Sequence, residues 1–592
     1  MSIEAAVDLR VANALSVLLP ETQSILAAVE GWWAIKAEQA GLSGRWANVT
    51  EALEAQPPVS LSGVSPLQSI GASTTGEMLG AMYVGSLPNA ERSKEGKHYT
   101  PSVLSERLWE MARAALGYTR GRDKRLTGLV RDPACGAGAL LLPPLREHLR
   151  AATKDDAAIT IRGVGSVIQG IDMDPWSAWI TNVVLGAEAL HTLAKVPDVR
   201  RRPIPMLAEA GDGLAVGREP ALATIMNPPY GRLRLEVAQR EDFAHVLYGH
   251  ANIYGMFMAS GADSTQPGGV LACLVPTSFT AGRYFHKLRG HLSSTMPMHS
   301  MNFVDGRNGV FAGVLQETCL VTFRHKTGRK VEVTRSNGHV DHVAEIPTPK
   351  GDGPWLLPRE ARDAATAAAA ARMPLTLESA GWHASTGPLV WNRRKSDLYG
   401  RQGKGRALVL WGADVDGGKV HRDRSRDSMR FLHLTVASDH EVMVLDEPAI
   451  LVQRTTAPEQ VRRLVAADLD QKTLEGFGGR VVIENHLNVL RSTVATPLIS
   501  RATLARVLQT KTMDRLMRCI SGSVAVSSYE IDSLPLPQAS VLASWEGLAG
   551  AELENAVAAA YTLGANVAGP SPRSNPRAVP GQAGADFPEG GF

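Results

Sequence analysis

Five short apolar runs between residues 126 and 323 alternate with segments of helical periodicity, and they read LTGLV, SVIQGID, LATIMN, GGVLACLVP and TCLVTF. Runs that are apolar throughout and separated by helices are typical of strands buried on both faces of a parallel sheet. The sequence therefore predicts an α/β fold with a doubly wound, Rossmann-like sheet. The stretch from about Met301 to Phe323 is expected to pair antiparallel.

Changes in composition divide the remainder of the 592 residues. Trp32 and Trp33 lie in a helical pattern, where paired aromatic residues are more often core residues than base-stacking elements. The predicted regions are a helical N-terminal region with a Pro/Gly/Ser-rich connector at 1–90, the sheet domain at 91–350, an alanine-rich surface helix or linker at 351–375, a mixed, mainly β domain at 376–545, and a terminal helix with a disordered tail at 546–592.

Bulk composition and cysteine spacing exclude several classes of protein. The net charge of +3 is too small to indicate a nucleic-acid partner by itself. The cysteines Cys135, Cys273, Cys319 and Cys519 are far apart, so we expect neither a disulfide framework nor a metal site. No leader pattern and no run of about 18 apolar residues is present. We therefore expect a cytoplasmic protein without a membrane anchor.

A glycine-rich turn follows the first predicted strand. Its sequence, DPACGAG, begins at Asp132, and its glycines allow the backbone to approach a ligand closely. The second predicted strand ends at Asp172, which suits ribose hydroxyls, and Asp212, which precedes the next predicted strand, suits an adenine amino group. Acids at successive strand ends of one sheet predict a pocket for a nucleoside-containing cofactor.

The sequence Asn227-Pro228-Pro229-Tyr230 lies at the end of the third run, LATIMN. An aromatic amine is a poor nucleophile because its lone pair is delocalised into the ring, so both amino protons need well-placed acceptors. The Asn227 side-chain oxygen and the Pro228 carbonyl can supply them, and the prolines stiffen the loop. Tyr230 offers a stacking face for a base that has left its duplex. The motif predicts methyl transfer to an exocyclic amine without a general base.

In this order, the motifs resemble the TaqI-like (gamma-type) adenine-N6 DNA methyltransferases of restriction-modification systems over residues 91–325. The segment Gly96–Pro101 resembles the opening cofactor motif of the family, and Asn252–Phe257 resembles the helix after its catalytic loop. The resemblance implies S-adenosylmethionine as cofactor and places Phe311 opposite Tyr230 around a flipped adenine. The cofactor-binding residues it implies, together with those inferred above, are Tyr99, Thr100, Pro101, Asp132, Ala134, Gly136, Gly138, Asp172, Asp212 and Phe257.

Two features depart from the family pattern. Gly213 replaces a larger residue that is common after the adenine-binding acid, and Pro143 with Pro144 interrupts the predicted first helix of the sheet domain. The first departure bears on cofactor affinity and the second on helix placement.

The second domain begins with clustered cations and interleaved aromatic residues. Such clusters suit contacts with DNA phosphates together with stacking or base-edge contacts. Near Arg422, acids alternate with arginines, which is equally typical of a self-paired surface. Ser528–Pro537 resembles the closing segment of recognition domains, which favours a target recognition domain. The predicted DNA-binding residues are Arg393, Arg394, Lys395, Arg401 and Lys404.

These features together predict a site-specific DNA adenine-N6 methyltransferase of a restriction-modification system, binding double-stranded DNA as a monomer, with a separate endonuclease as a compatible partner. Two alternatives stay open. The catalytic motif also suits methylation of RNA bases or of a protein glutamine amide, although the long second domain argues against these substrates. A non-catalytic DNA-binding subunit of a restriction complex would retain the fold but not need the intact motif.

Overall fold

The computed structural model of the chain describes residues 18–88, 98–119, 121, 123–231, 235–304, 317–325, 328, 330–456, 460–522 and 525–563. Among these residues, no helix combines the length and the apolar character needed to cross a bilayer.

A nine-stranded sheet forms the centre of the first domain, in the order β3-β2-β1-β4-β5-β7-β6-β8-β9. Strands β1 to β5 run parallel, whereas β7 runs antiparallel to both β5 and β6. Both the parallel sheet and the antiparallel end are confirmed. The strands are β1 (Val130–Asp132), β2 (Ile168–Asp172), β3 (Ala208–Ala210), β4 (Ala221–Met226), β5 (Thr265–Pro276), β6 (Met298–Val304), β7 (Thr318–Arg324), β8 (Lys330–Ser336) and β9 (Val340–Pro347).

Helices cover both faces of this sheet, and buried apolar clusters lie against each face. The helices of the first domain are α1 (Pro20–Ala27), α2 (Val29–Gln39), α3 (Val49–Ala52), α4 (Gly76–Ser86), α5 (Ser102–Leu116), α6 (Leu142–Arg150), α7 (Ala157–Gly163), α8 (Pro175–Ala194), α9 (Val237–Asp242), α10 (Ile253–Asp263) and α11 (His286–Thr295).

The two prolines expected to interrupt the first sheet helix instead lie at its start. Helix α6 begins at Leu142, so Pro143 and Pro144 occupy its first turn. Backbone N–H groups in that turn have no partner within the helix, so proline is tolerated there. The departure from the family pattern therefore shortens the helix at its N-terminus without breaking it.

The N-terminal helices belong to the core of the sheet domain. Trp32 and Trp33 are fully buried, and their indole N–H groups donate to the carbonyls of Thr74 and Trp46 at 2.9 and 3.1 Å. Their interpretation as core residues is confirmed. The predicted connector, in contrast, contains helix α4, which packs on α8 where a Cβ at Gly76 would lie 3.0 Å from Val184.

Four sheets build the second domain. They are a five-stranded sheet, β12-β16-β13-β20-β17, a four-stranded sheet, β11-β21-β18-β19, and the pairs β10-β22 and β14-β15. Their strands are β10 (Leu375–Thr376), β11 (Trp382–Thr386), β12 (Leu398–Tyr399), β13 (Arg406–Leu410), β14 (Val415–Asp416), β15 (Lys419–Val420), β16 (Phe431–His433), β17 (Val444–Leu445), β18 (Ala449–Gln453), β19 (Ala466–Leu469), β20 (Val481–Ile483), β21 (Leu487–Ser492) and β22 (Pro535–Leu536).

The alanine-rich run is not a surface helix. Ala367, Ala369 and Ala370 of helix α12 are at most 2% exposed, because alanine lets neighbouring helices approach closely. The remaining helices are α12 (Ala364–Ala370), α13 (Ala437–Met443), α14 (Gln471–Gly476), α15 (Arg501–Leu508), α16 (Lys511–Ile520), α17 (Ser528–Asp532), α18 (Ala539–Ser544) and α19 (Gly550–Leu563).

A partly buried ion pair joins the two domains. The Arg359 guanidinium lies 2.8 Å from the Glu317 carboxylate, and it also donates to the carbonyl of Arg518 at 2.7 Å. Burial alone would raise the pKa of Glu317, but the Arg359 charge and hydrogen bonds hold that pKa below its usual range. The carboxylate is therefore ionised at neutral pH and fixes the start of the second domain against the sheet.

Candidate active site

The carboxyl ends of β1, β2 and β3 lie side by side and carry the three predicted acids nearby. Asp172 ends β2, and its two carboxylate oxygens accept the backbone N–H groups of Gly136 and Asp174, both at 2.9 Å. Asp212 follows β3 and accepts the N–H of Leu214 at 2.9 Å. These bonds fix both carboxylates at the edge where parallel sheets bind ligands.

The glycine turn is held open on one side. Gly136 has φ +53° and Gly138 φ +82°, which is backbone that favours glycine. The Thr181 hydroxyl donates to the Gly136 carbonyl at 2.8 Å and holds the turn in place. A Cβ placed on Gly136 would meet nothing within 4 Å, so this side of the turn offers space to a ligand.

Asp132 shapes this turn from inside. Its side chain is 1% exposed, and Oδ1 accepts the backbone N–H of Ala134 at 3.0 Å. Burial, reinforced by the nearby Asp172 carboxylate, raises the pKa of Asp132 to about 8. A group with a positive charge, such as an ammonium, would relieve this repulsion. The set of carboxylates therefore fits the amino-acid end of the cofactor.

The segment His98–Pro101 lies against the glycine turn. A Cβ on Gly80 would lie 2.9 Å from the Tyr99 ring and 3.1 Å from Ala137, so the ring fills the space beside the turn. The Tyr99 hydroxyl is buried without a hydrogen-bond partner among the described residues, and burial raises its pKa. Pro101 precedes α5 and ends the segment. An unpaired buried hydroxyl beside an open turn is consistent with a ligand site.

Asn227 is positioned by hydrogen bonds at both ends of its amide. It follows β4, and its Nδ2 donates to the Thr100 hydroxyl at 3.0 Å. The Tyr230 hydroxyl donates to Asn227 Oδ1 at 2.9 Å and lies 3.2 Å from the Leu274 carbonyl. The structure thus brings the predicted catalytic loop next to the predicted cofactor segment, with Pro228 buried and Pro229 half-buried between them.

A second aromatic ring, that of Tyr254, packs against the tyrosine of this loop. The Tyr230 and Tyr254 rings meet edge to face with centroids 6.1 Å apart, and burial raises the pKa of the Tyr230 hydroxyl strongly. The hydroxyl is therefore neutral and acts as a hydrogen-bond donor. Phe311, the predicted partner of Tyr230, lies outside the described residues.

The glycine that departs from the family pattern has a steric reason. A Cβ on Gly213 would overlap the Pro133 carbonyl oxygen and lie 2.9 Å from the Phe257 ring. Phe257 is 7% exposed, so Gly213, directly after Asp212, packs tightly against the glycine turn and this ring. A larger residue at position 213 cannot occupy this arrangement.

Several residues of the site gave no signal in the sequence. The Tyr83 hydroxyl donates to Asp174 at 2.9 Å, and Asp174 caps α8 by accepting the N–H of Trp176. Arg218 donates to the Asp212 carbonyl at 2.7 Å. These contacts join distant positions through the fold, and only the acid that precedes a proline at the helix start could have been identified in advance.

The basic clusters of the second domain separate into paired and exposed cations. Arg394 is held by Asp439, with guanidinium and carboxylate atoms 2.9 Å apart, whereas Arg393 is exposed. Lys395 lies 5.0 Å from the centroid of the Trp391 ring. The other exposed cations of the first cluster are Arg401 and Lys404.

The cluster after position 420 is largely self-paired. Arg430 is fully buried against Asp414 at 2.7 Å, and Arg422 lies 2.9 Å from Asp427. This confirms the alternative interpretation of that cluster.

Several known proteins are similar to this chain. A family model described as N-6 DNA Methylase matches residues 75–326. The Type II methyltransferases M.BsuBI of Bacillus subtilis and M.PstI of Providencia stuartii are each 23% identical, over 56% and 53% of this chain and 68% and 64% of their own lengths. The structure of the Type IIL restriction-modification enzyme MmeI in complex with DNA aligns with a TM-score of 0.49 and 14% identity, covering 92% of this chain and 88% of MmeI.

The match to this family model defines the class, which is that of the S-adenosylmethionine-dependent methyltransferases. Within that class, residues 75–326 form an N-6 adenine DNA methyltransferase domain similar to the modification enzymes of restriction-modification systems. The resemblance seen in the motifs and the cofactor that it implies are both confirmed. The matched region begins at helix α4, inside the segment predicted as a connector.

Proposed function

We propose that this chain methylates N6 of adenine at specific sites in double-stranded DNA, with Asn227 to Tyr230 as its catalytic loop and residues 376–545 as its target recognition domain. One observation carries the assignment of the catalytic loop. The 3.0 Å hydrogen bond from Asn227 to Thr100 holds the amine-binding side chain next to the segment that resembles the cofactor motif. Acceptor and methyl donor would therefore meet at the carboxyl end of β4.

The cofactor residues divide by chemistry. Asp172 suits the ribose hydroxyls, Asp212 with Phe257 suits the adenine, and the glycine turn with Thr100 suits the methionine portion. When bound, S-adenosylmethionine supplies an activated methyl group. Asp132 acts as a positioning residue, because its oxygen holds the turn through Ala134. Tyr99 and Pro101 cover the turn from the opposite side.

At the target amine, Asn227 Oδ1 and the Pro228 carbonyl accept the two amino protons. In this structure, Oδ1 already accepts a hydrogen bond from the Tyr230 hydroxyl. An amide oxygen can accept two hydrogen bonds, but in the proposed reaction the target amine takes the place of that donor, and Tyr230 then presents its ring to the flipped base. Exchange of one donor for another at a fixed acceptor keeps the amide oriented before and after base entry.

DNA contacts come from the exposed cations of the first cluster in the second domain: Arg393, Lys395, Arg401 and Lys404. Arg394 supports this surface from beneath through Asp439. The chain would act as a monomer, as the modification enzyme of a restriction-modification system with a separate endonuclease, since a monomer that carries its own recognition domain suffices to find and modify a site.

The deciding experiment offers duplex DNA, RNA and protein of mixed sequence in parallel with labelled S-adenosylmethionine, followed by nucleoside analysis. We expect label in N6-methyladenine from DNA, and none from the Asn227→Ala variant, which should bind the cofactor and fold as the native chain does. Label found only in RNA or only in protein would mean that this molecule, and not DNA, is the substrate. No label in any of them would favour the non-catalytic subunit.

A further inference from the structure

Two histidines and one aspartate meet on three neighbouring segments away from the cofactor turn. His245 follows α9, Asp263 ends α10 and His291 lies within α11. His291 Nε2 lies 2.8 Å from Asp263 Oδ1, and His245 Nε2 lies 3.4 Å from Asp263 Oδ2. We infer that this cluster is a binding site for a divalent transition metal, with zinc as the metal that its chemistry fits.

The donor set is that of an open zinc site. Two imidazole nitrogens and one carboxylate oxygen are common zinc ligands, and three protein ligands leave a fourth position for water. Donors bound at about 2.0–2.2 Å in a tetrahedral site lie roughly 3.3 Å from one another. One ligand atom from each of the three residues lies within 4.8 Å of the other two, so small side-chain rotations complete the site.

The surroundings leave the cluster open to an ion from solvent. The side chains of His245 and Asp263 are 43% and 46% exposed, and His291 is 16% exposed beneath them. Among the described residues, no lysine or arginine forms an ion pair with Asp263. The carboxylate therefore has imidazoles as its partners, which are metal ligands when neutral.

A metal here would act on the segment that follows the catalytic loop. Phe243 and Val246 flank His245 and are both 5% exposed, and Lys287 of α11 donates to the Ala244 carbonyl at 3.1 Å. The segment then leads to Ile253, whose N–H donates to the Gly231 carbonyl at 3.0 Å. Metal binding would thus clamp this segment between α10 and α11, one hydrogen bond away from the end of the catalytic loop.

The test is zinc binding by the full chain after removal of metal with a chelator. Competition with a chromophoric chelator should show one Zn²⁺ per chain, and Co²⁺ should give the visible absorption of a four-coordinate site. His245→Ala, Asp263→Asn and His291→Ala should each weaken binding by more than the roughly 10–100-fold that loss of a partner behind a ligand costs. Zn²⁺ should raise the Tm of the native chain but not of these variants.

His250→Ala and His286→Ala are matched controls, because both histidines lie on the same segments as the ligands but outside the cluster. They should keep native affinity. Equal losses in the controls, or unchanged affinity in the ligand variants, would overturn the site. If His291→Ala does not fold, zinc binding by His245→Ala is the test, because His245 is more exposed and its removal leaves the core intact.

Discussion

Thr100 and Asn227, which are far apart in the sequence, share a hydrogen bond of 3.0 Å from Asn227 Nδ2 to the Thr100 hydroxyl. An amide has one donor end and one acceptor end, so fixing Nδ2 also fixes where Oδ1 points. In the proposed reaction, the segment around Thr100 would therefore orient the acceptor for the target amine. Cofactor binding and amine binding would then be coupled through the Asn227 side chain.

Thr100→Val removes this acceptor and nearly preserves the volume of the side chain. A neutral hydrogen bond contributes about 1 kcal/mol, so we expect kcat for methyl transfer to fall about fivefold. Thr100→Ser, which keeps the hydroxyl, should retain most of the rate. Steady-state kinetics distinguish the roles, because a residue that only binds cofactor would change KM for S-adenosylmethionine and leave kcat unaltered.

Tyr230 has two separable parts, its ring and its hydroxyl. Tyr230→Phe keeps the stacking face and removes the donor that occupies Asn227 Oδ1, so we expect single-turnover transfer to duplex DNA to stay within about tenfold of native. Tyr230→Ala removes base stacking worth about 1–3 kcal/mol and should cost about 10–100-fold. Equal losses in both variants would show that the hydroxyl, and not the ring, serves the reaction.

Strands β1, β2, β4, β5 and β7 of the central sheet were predictable because each lies in a short apolar run whose residues are mostly buried. Helix α4 was missed since it contains Gly80 and Gly85, which weaken a helical signal. Gly80 is needed there, as its Cβ would lie 2.9 Å from the Tyr99 ring. Strand β8 was missed too. Its apolar residues alternate with polar ones, so it lacks the uninterrupted apolar run that marks the predicted strands. Local patterns thus fail where packing between distant segments decides the residue.

The residues of the candidate site divide in the same way, into those that a local pattern predicts and those that only the fold brings together. Acids at strand ends are local features, so Asp172 and Asp212 could be located from the sequence. The pairing of Arg394 with Asp439 could not, because Asp439 lies in α13, 45 residues further along the chain. A run of adjacent cations gives no indication of which one is turned inward.

Gly213 and Gly211 flank Asp212 and form a matched pair. A Cβ at Gly213 would overlap the Pro133 carbonyl, whereas at Gly211 its nearest neighbour is Ile171 at an ordinary 3.6 Å. Gly213→Ala should therefore destabilise the chain by more than about 1 kcal/mol and weaken cofactor binding, while Gly211→Ala should stay within about 0.5 kcal/mol. Urea unfolding compares them. Equal stability would show that the loop moves freely.

The raised pKa of Asp132 predicts that the stability of the folded chain depends on pH. The carboxyl ionises near 3.8 in the unfolded chain, and burial raises its pKa to about 8 in the folded chain. Below pH 3.8 it is protonated in both states. Between the two values the unfolded state binds fewer protons, so the free energy of unfolding falls as pH rises.

Asp132→Asn lacks this slope and keeps an oxygen for the Ala134 N–H. Its free energy of unfolding relative to the native chain should rise between pH 5 and pH 8. Each unit by which folding raises the pKa of Asp132 contributes about 1.4 kcal/mol to this rise. Urea unfolding at several pH values measures the difference. A difference that does not change with pH would mean that Asp132 is ionised in the folded chain.

Arg393 and Arg394 are adjacent but face different surroundings, since Arg393 is exposed and Arg394 is paired with Asp439. Arg393→Ala should leave stability unchanged, weaken binding to duplex DNA, and reduce the slope of log affinity against log salt by about 0.9, the value for one phosphate contact. Arg394→Ala should instead lower the free energy of unfolding, because it leaves Asp439 without its partner. If both variants changed the salt slope equally, the ion pair would open on DNA, and if neither did, this cluster would lie outside the DNA interface.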